Sequence, residues 1–376
     1  MEFETLCLHG NNDIDEFGGI SFPICQSATF IHKNVDGESE YSYSRLKNPT
    51  RYHLEKTVAA LEGGNDAFAF STGMAAITTA LLLIKRGDHV IATLDLYGGA
   101  LRLFKTVCND LGIEFTFVDT SSLEKVKKAI KKNTKLIYLE TPSNPLMIVS
   151  DIKEISKIAH ENGALLYVDN TFLTPYYQRP LELGADIVLH SGTKYLGGHN
   201  DTLAGFVVTK TKELSDSIIY VSKTIGATLS PFDSFLIERG IKTLPIRMDR
   251  INDNAYKLAN FLKTKKGIKK VYYTGFDTNP SYEIQTKQAS GFGGMISIEL
   301  ESEELALNVL KNIKIFKYAE SLGGVDSLIT YPIRQTHADV PKEERDKRGI
   351  NERFLRISVG IENIKDLILD LDNAIK

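Results

Sequence analysis

The sequence predicts an α/β fold: a large, mostly parallel sheet covered by helices on both faces, followed by a smaller C-terminal α+β domain. Three observations carry this. Between about residues 50 and 209, short apolar runs alternate with segments of helical apolar spacing, the pattern of strands joined by crossover helices. Beyond about 240, helical segments accompany only two further strand-like runs, at 295–299 and 354–359. The chain has 376 residues, 42% hydrophobic and 25% charged, ordinary for a globular protein of more than one domain.

Residues 1–48 are rich in Gly, Asn and Ser and read as an arm rather than a core. Leu54, Val58 and Leu61 give 51–62 a helical stripe. Then come a short apolar strand at 67–70, a helix at 74–84 opening after Thr72-Gly73, a strand at 89–93 and a helix at 98–109. Strands at 114–118 and 135–140 flank a lysine-rich helix, and 151–162 reads as a helix capped by Asp151. Strands follow at 165–169, 187–190 and 205–209. A long helical stretch spans 231–264. The run at 295–299 alternates as a half-buried strand, 354–359 is another strand, and 303–312 and 364–374 are helical. The expected division is an arm at 1–48, a large domain at 49–240 and a small domain at 241–376. No internal repeat or low-complexity tract occurs.

Composition excludes several classes. A net charge of -3 and a pI near 6.3 give no electrostatic case for nucleic acid or an anionic membrane as a partner. Cys7, Cys25 and Cys108 are widely spaced with no Cys-x-x-Cys pair, so neither a metal site nor a disulfide framework is expected. The acidic Met1-Glu2-Phe3-Glu4 start does not resemble a signal peptide, and no apolar run reaches the roughly 18 residues of a membrane span. A cytoplasmic enzyme is the expectation.

The chemistry centres on Lys194, in His190-Ser191-Gly192-Thr193-Lys194-Tyr195. It follows the apolar Ile187-Val188-Leu189, at the end of a strand predicted to be buried. Lysines are mostly solvated; desolvation there lowers the pKa and makes the amine nucleophilic toward an aldehyde. Upstream, Leu166-Tyr167-Val168-Asp169 is a buried strand ending in an acid. A lysine to form an imine and an acid to keep a pyridinium nitrogen protonated are what pyridoxal 5'-phosphate requires. Asp169 reads equally as a turn cap. Gly73 and Met74, in Ser71-Thr72-Gly73-Met74, lie between strand and helix, where free N–H groups favour a phosphate dianion; a generic glycine turn is the alternative. Ser191 and Thr193 offer hydroxyls, while Tyr43 and Arg45 offer a phenol and a guanidinium. Tyr97 follows a strand and can stack on a flat ring or simply pack. Arg356, inside the apolar strand Phe354-Leu355-Arg356-Ile357-Ser358, needs an anion, either a substrate carboxylate or a structural one.

Together these motifs resemble the Cys/Met-metabolism family of pyridoxal phosphate enzymes. The match runs through Tyr43-Ser44-Arg45, Leu61-Glu62-Gly63-Gly64, Gly73-Met74-Ala75-Ala76 and Leu96-Tyr97-Gly98-Gly99. It continues through Glu140-Thr141-Pro142-Ser143-Asn144-Pro145, Asp169-Asn170-Thr171, the Lys194 segment, Ser321-Leu322-Gly323-Gly324 and Arg356-Ile357-Ser358-Val359-Gly360. It covers essentially the whole chain. The resemblance implies a fold-type I architecture and a homotetramer built from two catalytic dimers. It assigns Lys194 as the cofactor-linked lysine and proton shuttle, Asp169 as the ring-nitrogen partner, and Tyr97 as the stacking ring and acid/base. It makes Gly73, Met74, Ser191 and Thr193 phosphate ligands, and sends Tyr43 and Arg45 to the phosphate of the neighbouring subunit. Asn144 falls beside the cofactor's phenolic oxygen and the substrate, and Ser321 and Arg356 hold the substrate α-carboxylate.

The chain also departs from the family pattern. Ser42 stands where members acting on the γ carbon of cystathionine often carry an acid before Tyr-Ser-Arg, and Asp326 stands where a longer Glu is usual. Gly99 replaces the Cys of methionine γ-lyases. Arg334, in 331–337, replaces a small or apolar residue and is a candidate for a distal anion, or a solvent-facing arginine. The wording around 41–51, 96–103 and 341–349 looks most like the lyases of Gram-positive bacteria. The expected activity is β-elimination of L-cystathionine or a related cysteine thioether. The alternatives are γ-elimination, γ-replacement on an activated homoserine, methionine γ-elimination and, on the same fold, amino transfer.

Overall fold

The computed structural model describes residues 1–10, 13–14, 18–37, 39–336, 338, 340 and 342–376. His337 and Pro341, which belong to segments singled out in the sequence, lie outside the described residues. Helices α1 (Phe3–His9) and α2 (Pro49–Glu62) precede the first sheet. That sheet comprises β1 (Asp66–Phe70), β2 (His89–Thr93), β3 (Glu114–Val118), β4 (Thr134–Glu140), β5 (Leu165–Asp169), β6 (Ile187–Ser191) and β7 (Gly205–Thr209), in the order β1-β7-β6-β5-β4-β2-β3. β7 runs antiparallel to both β1 and β6; the other neighbours are parallel. The connections carry α3 (Gly73–Leu81), α4 (Gly98–Leu103), α5 (Leu123–Ala129), α6 (Ile152–Glu161), α7 (Thr174–Tyr177) and, after β7, α8 (Lys212–Ile225).

Alternation along the strands divides the core. Ile137, Leu166, Val168, Val188 and Val208 pack into one cluster, while Leu136, Tyr138, Tyr167, Leu189 and Val207 pack into another. Successive side chains point to opposite faces, so both faces are covered by helices and the strands read as continuous apolar runs.

The remaining chain forms α9 (Pro231–Ile241), α10 (Leu244–Thr264), β8 (Ile268–Tyr272), α11 (Tyr282–Gln288), β9 (Met295–Leu300), α12 (Glu303–Asn312), β10 (Lys317–Tyr318), β11 (Leu328–Thr330), α13 (Lys342–Arg348), β12 (Phe354–Ser358) and α14 (Ile364–Ala374). Its five strands order as β10-β11-β12-β9-β8. α10 belongs to both parts: Leu244, Met248 and Ile251 pack with the large sheet's core, and Ala255, Leu258 and Leu262 with that of the small sheet.

Three expectations need correction. The helical stretch at 231–264 is two helices, broken at Lys242 and Thr243, with a proline in the first turn of the second; proline suits a helix start and not an interior. The segment 98–109 changes to π-helical geometry at Phe104–Cys108. β9 is buried along its whole length rather than on one face, because Ser297, facing away from the small core, bonds to the Pro145 carbonyl of the large domain. Helix α8, capped by Thr211 and closed by the left-handed Gly226, has no counterpart in the expected elements. Among the described residues no helix is long and apolar enough to cross a membrane.

Candidate active site

A cavity of about 550 Å³ opens at the carboxyl ends of the central strands, where α/β sheets place their ligands. Its wall includes Glu140, Asp169 and Ser191, the last residues of β4, β5 and β6. The turn after β1 supplies Thr72, Gly73 and Met74, and the turn after β2 supplies Tyr97. The cavity is closed by Ser321, in the loop before β11, and by Arg356 of β12.

Thr72 caps α3 by accepting the N–H of Ala75 on its hydroxyl and that of Ala76 on its carbonyl. That leaves the N–H groups of Gly73 and Met74 for a ligand. A Cβ on Gly73 would meet Ser191 Cβ at 3.0 Å, and one on Gly205 would meet the Thr72 carbonyl oxygen at 2.1 Å. The glycines therefore let three turns close into a small cradle at a helix N-terminus, which suits a phosphate. Thr193 lines the same wall, its hydroxyl bonded to the N–H and C=O of Ala204.

Three acids sit at or just beyond the strand ends: Glu140 and Asp95 are buried and Asp169 is half-buried. Glu140 and Asp169 are directly opposite each other in the β4–β5 register. Burial raises the pKa of both, and their mutual repulsion adds to that of Glu140, while bonds from Thr171 favour the charged form of Asp169. Glu140 Oε2 accepts the Tyr97 N–H at 2.9 Å, and a Cβ on Gly99 would lie 2.5 Å from the Tyr97 ring. Burial pushes Asp95 up to about 6.

The Lys194 amine donates to Ser321 Oγ at 2.6 Å. Burial first, and the Arg356 charge second, bring its pKa down to about 8. Arg356 is 2% exposed. Its Nη1 donates to Asn144 Oδ1 at 3.0 Å; its Nη2 donates to the Ser321 carbonyl at 2.8 Å and to Thr330 Oγ1 at 3.1 Å. Its buried Nε has no partner. A guanidinium held on one side with a donor to spare fits a carboxylate ligand. Ser321 holds a φ of 81°, a conformation uncommon outside glycine and frequent at functional sites.

The structure thus brings Gly73, Met74, Tyr97, Asn144, Asp169, Ser191, Thr193, Lys194, Ser321 and Arg356 around one cavity. It does not bring the others there. Tyr43 and Arg45 are exposed, with Arg45 donating to the Lys223 carbonyl. Asp326 is exposed and accepts from Asn200 at 3.3 Å. Arg334 is exposed, its guanidinium 5.5 Å from the centre of the Tyr331 ring. Glu140 and Glu320 line the cavity although sequence reasoning gave neither a role; the position of Glu140 at the end of an apolar strand, like that of Asp169, was the available signal.

The donor set fits a flat phosphorylated ring: a cradle at a helix N-terminus, a strand-end acid, and a desolvated amine. Comparison with known proteins agrees. The family model described as "Cys/Met metabolism PLP-dependent enzyme" matches residues 4–376. A cystathionine gamma-lyase of Bacillus subtilis is 50% identical, with 100% of each chain covered. A cystathionine beta-lyase of Lactococcus lactis is also 50% identical, covering 99% of this chain and 98% of the relative. The crystal structure of cystathionine gamma-lyase from Lactobacillus plantarum complexed with L-serine superposes with a TM-score of 0.97 at 44% identity, over 100% of this chain and 98% of the other. The chain belongs to the Cys/Met-metabolism family of pyridoxal 5'-phosphate-dependent enzymes, with the fold-type I architecture of that family.

Proposed function

We propose that the chain is a carbon–sulfur β-lyase that cleaves L-cystathionine, or a related cysteine thioether, to a thiol, pyruvate and ammonia. Membership of the lyases of sulfur amino-acid metabolism rests on the family and its relatives. The observation that supports the catalytic reading is that Lys194, bonded to Ser321, lines one cavity together with Arg356 and the strand-end acid Asp169.

When bound, pyridoxal phosphate supplies an electron sink for the substrate α carbon. Gly73, Met74, Ser191 and Thr193 would hold its phosphate, Asp169 its ring nitrogen, Tyr97 its face and Asn144 its phenolic oxygen. Arg356, oriented by Asn144 and Thr330, presents Nε to the substrate α-carboxylate. Lys194, uncharged above about pH 8, accepts the α-proton. The thiolate leaves the β carbon with the bonding electrons and takes up a proton, for which Tyr97 is the available phenol. One water hydrolyses the remaining fragment to pyruvate and ammonia, which balances the reaction.

The β position is favoured over γ because Ser42 is not an acid and Asp326 is exposed, away from the cavity lining. One observation favours the γ-lyase reading: Glu320 lines the cavity and its extension, where a carboxylate can hold a distal ammonium. Incubating purified holoenzyme with L-cystathionine separates the two. Pyruvate supports β-elimination, and 2-oxobutyrate overturns it in favour of γ-cleavage.

A homotetramer of two catalytic dimers, with Tyr43 and Arg45 completing the neighbour's site, is part of this proposal, as is a cytoplasmic location. Exposed Tyr43 and Arg45, away from their own cavity, support the shared site. Arg45→Ala should weaken cofactor binding, and mixing R45A with K194A should restore some hybrid sites; no recovery would count against sharing.

A further inference from the structure

On the reverse face of the large sheet, behind the cavity, a buried polar network ties together the strand ends that carry the site. Glu62, the last residue of α2, is fully buried. Its Oε1 lies 2.6 Å from His190 Nε2 and accepts from Asn170 Nδ2 at 3.0 Å. Asn170 also donates to the Gln178 carbonyl at 2.7 Å. Gln178 Nε2 donates to Asn170 Oδ1 at 3.0 Å and to the Thr141 carbonyl at 3.1 Å. All four side chains are 2% exposed or less. Residues alternate across a strand. Asn170 and His190 therefore point away from the cavity, while their chain neighbours Asp169 and Ser191 line it. Thr141 follows Glu140, which lines it too.

A buried polar group costs free energy unless bonded, and a core that needed only packing would place apolar residues here. The ties instead converge on the residues flanking Asp169, Ser191 and Glu140, from three strands and one helix. Glu62 Oε2 and His190 Nδ1 remain without partners, so the arrangement is not optimised for stability alone.

We propose that Glu62 and Gln178 are positioning residues, which fix the ends of β4, β5 and β6 so that Asp169 and Ser191 meet the cofactor in one geometry. This rests on the reading of Asp169 as the ring-nitrogen partner. Glu62 touches neither substrate nor cofactor; it acts through Asn170 and His190.

The test compares Glu62→Ala, Glu62→Gln and Gln178→Leu, each as apoprotein and as holoenzyme, with Asp169→Ala alongside. Cofactor half-saturation, the visible circular dichroism of the bound cofactor, kcat and KM are read, together with the melting temperature of the apoprotein. E62A should raise half-saturation by about tenfold, the scale of one buried charged hydrogen bond. It should weaken the visible dichroism and lower kcat with KM little changed, since Arg356 still holds the substrate. E62Q, whose amide oxygen still accepts from His190 and Asn170, should recover half-saturation to within about twofold of the parent. Where E62A yields no folded apoprotein, Q178L carries the test with the same expected changes, since it cuts the tie to Thr141 without unpairing Glu62 and His190. If E62A or Q178L lowers only the melting temperature and leaves cofactor affinity and dichroism at parental values, the network is structural and the proposal fails. It fails likewise if neither variant folds. D169A separates the two ideas: parental cofactor affinity and turnover in D169A would sink the Asp169 reading itself, whereas loss in D169A with parental E62A and Q178L would sink only this proposal.

Discussion

The amine of Lys194 donates to the hydroxyl of Ser321 at 2.6 Å, a bond between residues 127 apart in sequence. It joins the end of the large sheet to the loop before β11 of the small one, so the amine's position depends on how the two sheets dock. Removing the hydroxyl should therefore cost rate rather than fold. Ser321→Gly suits the left-handed φ of 81° better than alanine does. Its apoprotein should melt near the parent temperature while kcat falls by roughly tenfold, the scale of a hydrogen bond to a charged group. Parental kcat in S321G would show that the contact does not orient the lysine.

The low pKa of Lys194 makes a second prediction. Only the uncharged amine attacks an aldehyde, so cofactor capture by apoprotein should accelerate with pH up to about 8 and then level off, rather than climbing toward 10.5. The stability sign follows from proton counting. Between about 8 and 10.5 the unfolded lysine binds a proton that the native one does not, so the Lys194 contribution to stability rises with pH through that window and is most unfavourable below it. Lys194→Met should stabilise the apoprotein at pH 7, with the gain shrinking as pH rises through about 8 toward 10.5, and should abolish turnover. Stability curves of parent and variant that run parallel from pH 7 to 10 would contradict the assigned desolvation.

Arg356 uses its two Nη groups on three oxygens, those of Asn144, Ser321 and Thr330, and keeps Nε for a ligand. A lysine cannot reproduce that fork. Arg356→Lys should raise KM by about 10- to 100-fold, with a smaller effect on kcat, as initial rates with L-cystathionine would show. A change confined to kcat would move Arg356 from substrate binding to a structural role.

The parts of this molecule that were legible in the sequence are those set by local pattern. β2, β3, β5 and β7 have the bounds that the sequence pattern predicts; β2 and β7, buried on both faces, need no alternation to declare themselves. Lys194 and Arg356 stood out because charged residues rarely interrupt such runs. Helix α8 carries its signals too, a Thr cap and a left-handed glycine at its end, and Pro245 marks the restart of α10. What pattern could not show is contact across distance. The bond between Glu62 and His190 spans 128 residues, and the second face of β9 is covered from afar, Met295 by the large sheet's core and Ser297 by the loop containing Pro145. Asp326 and Arg334 turn away from the cavity for a related reason: the conformation of a loop decides which way a charged side chain points, and residue type does not encode it.

Asp95 makes the last prediction. Its Oδ2 accepts from Ser143 Oγ and from the Leu146 N–H, at 3.0 Å for the latter, while its buried Oδ1 has no partner. These bonds favour the carboxylate, but burial outweighs them and pushes the pKa up to about 6 from 3.8. For an acid with a raised native pKa, the folded chain holds the extra proton between those two values. The Asp95 contribution to stability is therefore fully present below about pH 4 and lost as pH rises through 6. The shift sets a ceiling of about 3 kcal/mol. Asp95→Asn stays neutral throughout and still offers an oxygen to the Leu146 N–H. The variant should melt above the parent at pH 8, with the gap closing as the pH falls through 6 toward 4, in apoprotein melts taken at constant ionic strength. A gap that persists unchanged at pH 4.5 would assign the gain to packing, and a variant that melts below the parent at pH 8 would show that the Ser143 bond outweighs the cost of burying the charge.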